Sequence, residues 1–179
     1  MPYPRSTVAR VLGLSSEVIL NVDKQVVLNH LTRARARLLA AIEGLNETEM
    51  CTVPLSGAWT PREVLAHISG WAVWDLEAIR AIQRGRSPDL SVIQNVDVFN
   101  DWLVAQRAGW PVGRILAEME DAQTAIQELV GSMSEQQLLD VGPFQVPYWQ
   151  NLVEWLGVAW NHEEEHAGQI QAWREQRSD

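Results

Sequence analysis

Apolar residues recur in steps of four and three along most of the chain, and that rhythm constrains the fold more than any other feature. Between Asp23 and Leu45 they fall at Val27, Leu31, Ala34, Leu38, Ala41 and Leu45. After Pro111 they fall at Val112, Ile115, Met119, Ala122, Ile126 and Leu129, with Gly131 as a stop. Such spacing lays one stripe along a helix and turns it toward a neighbouring helix. Thr60, Pro61 and Glu63 announce another helix, because Thr60 can cap it, Pro61 suits its first position and Glu63 completes a capping box. That helix carries Val64, Leu65, Ile68, Trp71, Ala72, Ile79 and Ile82, and Gly85 ends it. Roughly 24 residues at about 1.5 Å each make a rod about 36 Å long.

A shorter helical stretch, NVDVFNDWLVAQRAGW, follows a connector at residues 86 to 94 and ends near Gly109. Ser134 and Gln137 form a second capping box for a brief helix, GPFQVPYW reads as a loop, and a last helix runs from about Asn151 to Trp173. No alternating strand pattern occurs, and Pro147 weakens the short VPYW run. The pattern predicts an all-α protein: a four-helix bundle with short extra helices in its connections. Residues 1–22 read as an N-terminal extension and residues 23–179 as one bundle domain.

Fourteen basic residues against twenty-three acidic give a net charge of −9, which argues against a nucleic-acid partner. Arg33, Arg35 and Arg37 alternate and so spread around a helix, as a solvated surface does. No run approaches membrane-spanning length. The single cysteine, Cys51, excludes an intrachain disulfide and fits a reducing cytoplasm. It has no histidine nearby in sequence, and we read it as inert. Nine tryptophans beside two phenylalanines and two tyrosines are an unusual share, pointing to large amphipathic walls in a core or around a pocket.

The last helix has a seam at Leu152, Leu156, Ala159, Glu163, His166, Ile170 and Trp173, apolar at both ends and polar in its middle. His162 lies one turn before His166, so both imidazoles project from one side. Burying such groups without partners costs several kcal/mol, and a divalent metal held by neutral imidazoles is one compensation. Core histidines bonded to backbone and glutamate, or a solvated acidic face, are the others.

His162, Glu163 and His166 spell H-E-x-x-H, yet a peptidase does not follow. Gln169 and Ala172 stand where the metzincin extension needs glycine and its third ligand, and only 13 residues follow His166. No strand is predicted to hold an extended peptide. Glu163 and His166 also form one Glu-x-x-His, where a ferritin-like di-iron site needs two. A third metal ligand must come from upstream, where the only histidines are His30 and His67. His67 is the better placed, sharing a face with Val64, Gly70 and Trp71; Gly70 would let another helix approach closely. His30 sits at the margin of the first seam.

The order WTPREVLAHISGW, then HEEEHAGQI in a C-terminal helix, resembles the DinB-like superfamily of four-helix bundles, related to bacillithiol- and mycothiol-dependent enzymes. The resemblance spans about residues 23 to 175, and one departure is Ala167, where many members carry arginine. It implies a divalent metal, zinc or nickel, on His67, His162 and His166. The middle region, VFNDW followed by Pro111, also resembles the colibactin self-resistance branch, which lacks the three-histidine site. Retention of all three histidines puts this chain nearer the metal-binding members.

Three neutral imidazoles leave a coordination position open, which suits catalysis. The expected activity is metal-dependent thiol transfer or hydrolysis on small electrophiles, with a low-molecular-weight thiol as cosubstrate. Glu163 is the candidate base or supporting acceptor. Glu164 and Glu165 point further round and are expected to be solvated. Trp71, Trp74 and Trp160 are expected to wall a substrate pocket; Trp59, Trp102, Trp110 and Trp149 lie near helix ends, at its mouth or on a dimer surface. Similar bundles often dimerise, so a homodimer is one assembly the resemblance allows. A non-catalytic bundle, with a structural metal or a bound ligand or protein partner, is the alternative.

Overall fold

A computed structural model describes residues 23–55, 59–140 and 151–177. The expected N-terminal extension, the GPFQVPYW loop and Trp149 lie outside these residues. Helix α1 (Lys24–Ile42) begins where the Asp23 side chain accepts from the Gln25 amide. It stops short of Leu45 because Gly44, at φ +79°, turns the chain. Asn46 then caps α2 (Glu47–Cys51), a short helix, in a box with Glu49.

Helix α3 (Pro61–Gln83) starts at the expected box: the Thr60 amide donates to Glu63 and the Glu63 amide to the Thr60 hydroxyl. Gly85, at φ +69°, ends it as expected. A 3-10 turn (Ser91–Asn95) leads into α4 (Val96–Gln106), and Pro111 caps α5 (Val112–Ser132). Helix α5 runs through Gly131 instead of closing there. The Lys24 ammonium, at 2.7 Å from the Gly131 carbonyl and 3.0 Å from that of Met133, satisfies the terminal acceptors a glycine cap would otherwise serve. Helix α6 (Glu135–Leu139) follows the Ser134–Gln137 box, and α7 (Leu152–Glu175) is capped by Asn151.

The four long helices α1, α3, α5 and α7 form the bundle, with α1 packed chiefly on α7 and α3 on α5. No strand occurs among the described residues, and no described helix is long and apolar enough to cross a membrane. Helix α4 leans on α3 at Gly70, where an added Cβ would lie 2.6 Å from Leu103 Cδ2. The glycine is what allows that approach.

The apolar core divides into two blocks. One contains Val27, Leu31, Ile79, Leu152, Leu156 and Trp160; the other contains Leu38, Leu65, Ile68, Ile115, Met119 and Ile170. Each fully buried Leu or Ile contributes about 1.5–3 kcal/mol. Helix α7 passes from the first block to the second through residues 161 to 166, which carry Glu163 and both histidines of the polar seam. On α1 the same level holds Arg35, only 5% exposed, so the expectation of a solvated arginine is wrong there. Position 35 lies one turn after Leu31, on the buried face of the helix.

Candidate metal centre

Helix α7 sets His162 and His166 one turn apart, and α3 brings His67 against them across 95 positions of sequence. The Nε2 atom of His162 lies 2.8 Å from that of His67 and 2.9 Å from that of His166. The nitrogens of all three lie within 4.8 Å of one another. His67 is 3% exposed; the other two are half-buried.

Burial, reinforced by the neighbouring His166, lowers the pKa of His67 to about 3. Burial, with His166 and His67 beside it, lowers that of His162 well below the ordinary imidazole value. Burial also lowers that of His166, against an opposing bond to Gln169. All three rings are therefore neutral near pH 7. The Gln169 carbonyl oxygen lies 2.9 Å from His166 Nδ1, so Nδ1 carries the hydrogen and the Nε2 lone pair is left facing the cluster.

Hydrogen bonding alone satisfies this cluster poorly. His162 Nε2 bears either one hydrogen or one lone pair, and so makes one well-directed bond, yet it faces two nitrogens. A cation at the convergence accepts three lone pairs at once, and neutral imidazole is a suitable donor for a divalent transition metal. The donor set fits such an ion.

The second seam residue behaves differently. Glu163 Oε1 accepts from Arg35 Nη2 at 2.6 Å and Oε2 from Arg35 Nε at 3.1 Å, a two-pronged ion pair joining α7 to α1. Of its neighbours, Glu164 pairs loosely with Arg37 and Glu165 is exposed. His30 stays out of the cluster, exposed and stacked on Trp160 at 4.9 Å. Cys51 is half-buried beneath the second apolar block.

Beside His162 lies a cavity of about 30 Å³, bounded by Arg35, Trp71, Asp75, Trp160 and Glu163 among apolar side chains. Asp75 was not singled out from the sequence, although Ile68, Ala72, Asp75 and Ile79 are spaced 4, 3 and 4, a seam with a carboxyl in it. Its Oδ1 accepts from the Trp155 indole N–H at 2.7 Å. Burial raises the Asp75 pKa to about 7, opposed by that bond and assisted by the nearby Glu163 carboxylate.

The three tryptophans expected to share a pocket are divided. Trp71 and Trp160 line the cavity beside His162. Trp74 turns away, stacks on Trp155 at 5.2 Å and lines a separate groove toward α4. Trp59 lies nearer the centre than its position at a helix end suggested, its ring 5.1 Å from that of His67.

The sequence profile of the DinB superfamily matches residues 30–170, a span holding all three clustered histidines. A crystal structure of a protein from Streptococcus pneumoniae is similar, with a TM-score of 0.76 and 14% identity over 87% of this chain and 92% of that one. An uncharacterised protein from Escherichia coli UTI89 gives 0.74 at 10% identity, over 87% and 94%. A protein described as "Sibling Lethal Factor Precursor - DfsB" gives 0.72 at 15%, over 88% and 98%. At these identities the likeness is one of fold. No curated protein matches the chain significantly.

Proposed function

The chain belongs to the DinB superfamily, and on that premise we propose that it is a metal-dependent enzyme that transfers a low-molecular-weight thiol to small electrophiles, or hydrolyses them. The observation that carries this reading is the convergence of His67, His162 and His166 Nε2, 2.8–2.9 Å apart between neighbours, from two helices. Zinc or nickel bound there would supply Lewis acidity, lowering the pKa of a thiol or water presented to the site.

The chain's own residues would do the rest. The three imidazoles offer lone pairs at neutral pH, and Gln169 fixes the His166 tautomer. Of the two roles expected for Glu163, we propose the supporting one, because acting as a base would disturb one of its two bonds to Arg35. Asp75 is the better proton acceptor or donor: it borders the same cavity and is poised near neutrality. Trp71 and Trp160 form the aromatic wall of that cavity. Single-cysteine composition supports a cytoplasmic setting, where a reduced thiol cosubstrate is available.

A second reading is favoured by one observation: a cavity of about 30 Å³ beside His162 admits little more than water. In that reading the metal is structural and the bundle does not catalyse. An assay of bacillithiol or mycothiol conjugation to monochlorobimane separates the two. The enzyme reading expects the nickel- or zinc-loaded chain to exceed the metal-free chain by about tenfold or more, with the gain lost in His166→Ala. Metal uptake with no gain for either thiol, or for hydrolysis of the electrophile alone, would leave the structural reading standing.

A further inference from the structure

A concavity free of the histidines lies between α3 and α4, with a volume of about 660 Å³. That size suits a small organic molecule. The two helices touch at Gly70 and Leu103, and aromatic side chains fill the wedge beside that contact. Phe99 and Trp102 are stacked at 5.6 Å with 13° between their planes, and Trp102 is 51% exposed. Trp74 forms the α3 wall, backed by Trp155.

The charge of the walls selects a ligand class. Glu77, Asp89 and Glu118 line the groove against a single cation, Arg107. Arg107 and Glu118 neutralise each other, Arg107 Nε bonding Glu118 at 2.5 Å and its Nη1 the Leu103 carbonyl at 3.1 Å while the Ser69 hydroxyl also donates to Glu118, so Asp89 and Glu77 carry the remaining charge of the walls. Hydrogen bonds from Ser91 hold the Asp89 carboxyl below its ordinary pKa, so it is charged at pH 7. Glu77 is exposed and pairs with Arg80, outside the groove. Trp110, which also lines the groove, carries a planar cation already: the Arg114 guanidinium carbon lies 3.5 Å from its ring centroid.

We propose that this groove is a second ligand site, for a planar organic cation stacked on the exposed Trp102 ring, which Phe99 backs, with the Trp74 ring set across it at 67° to Phe99 and with Asp89 and Glu77 as counter-charge. The Trp71 ring separates it from the histidines, edge-on to Trp74 and Phe99 at 5.3 and 5.1 Å while lining the cavity beside His162. The site therefore stands or falls independently of metal binding.

Titrating the full chain with N-methylacridinium, following tryptophan quenching, tests it against the anion 8-anilino-1-naphthalenesulfonate. The cation is expected to bind saturably at one equivalent and the anion not at all. Trp102→Ala should weaken cation binding by about fivefold or more without loss of helicity, and His67→Ala should leave it unchanged. The proposal is overturned if the anion binds as well as the cation, or if Trp102→Ala leaves the affinity unaltered. It is equally overturned if neither probe binds, or if sedimentation shows a dimer that Trp102→Ala dissociates, since a second copy would then occupy the groove.

Discussion

The two apolar blocks of the bundle and the polar level between them are built on opposite terms. In the blocks, side chains such as Leu38, Leu156 and Ile170 are fully buried and have only shape to satisfy. At the level between, Arg35, Glu163 and three neutral imidazoles are withdrawn from water and must compensate one another. Hydrophobic side chains of similar volume would hold four helices together at least as well. We therefore propose that the polar level marks a site, while stability comes from the blocks on either side.

The largest effect should come from breaking that level's ion pair. Glu163→Ala leaves the Arg35 guanidinium buried without its partner, and we expect a loss of about 3–5 kcal/mol in denaturant unfolding. The double change Arg35→Met with Glu163→Leu should recover most of it. A small cost for the single change would mean that the pair is wet and the comparison false.

A smaller, pH-dependent effect is expected at Asp75. Its folded pKa of about 7 lies above the unfolded value near 3.8, so the folded state holds the proton more tightly. Stability from this group is full below the unfolded value, declines as pH rises between the two, and stays low above the folded value. Asp75→Asn keeps an oxygen for the Trp155 N–H and removes the titration. Metal-free wild type should therefore lose a few kcal/mol relative to the variant between about pH 4 and 7. Parallel stability curves would show that Asp75 is ionised in the fold.

The smallest effect should be that of His67→Ala on the metal-free fold. Lost packing is partly offset by removal of a desolvated imidazole facing another nitrogen at 2.8 Å. We expect a midpoint shift equivalent to about 1 kcal/mol or less. A loss as large as that from the ion pair would make His67 a structural residue.

Most of the bundle was legible because seams and caps are local signals. Thr60–Glu63, Ser134–Gln137 and the glycines at 85 and 109 mark boundaries within a few residues of the helices they bound. The polar break in the α7 seam was equally visible and led to His162 and His166. His67 was reached through its face on α3 and the family resemblance, but Arg35 was not, because it meets Glu163 across 128 positions and no periodicity links them. Asp75 was hidden for another reason. It occupies an apolar slot in a seam with Ile68, Ala72 and Ile79, and one polar residue in a long helix reads as tolerance until its burial is known. Trp74 was placed in the pocket because it lies within two turns of His67, whereas its ring stacks on Trp155 and lines the groove toward α4.

Metal stoichiometry tests the central claim most directly. Untagged protein would be stripped with chelator, offered zinc or nickel, exchanged into metal-free buffer and measured by elemental analysis beside His67→Ala and His166→Ala. One equivalent in the wild type, absent from both variants while circular dichroism stays helical, is the predicted result. No uptake by the wild type, or equal uptake by the variants, would contradict a three-histidine centre and return these imidazoles to the core.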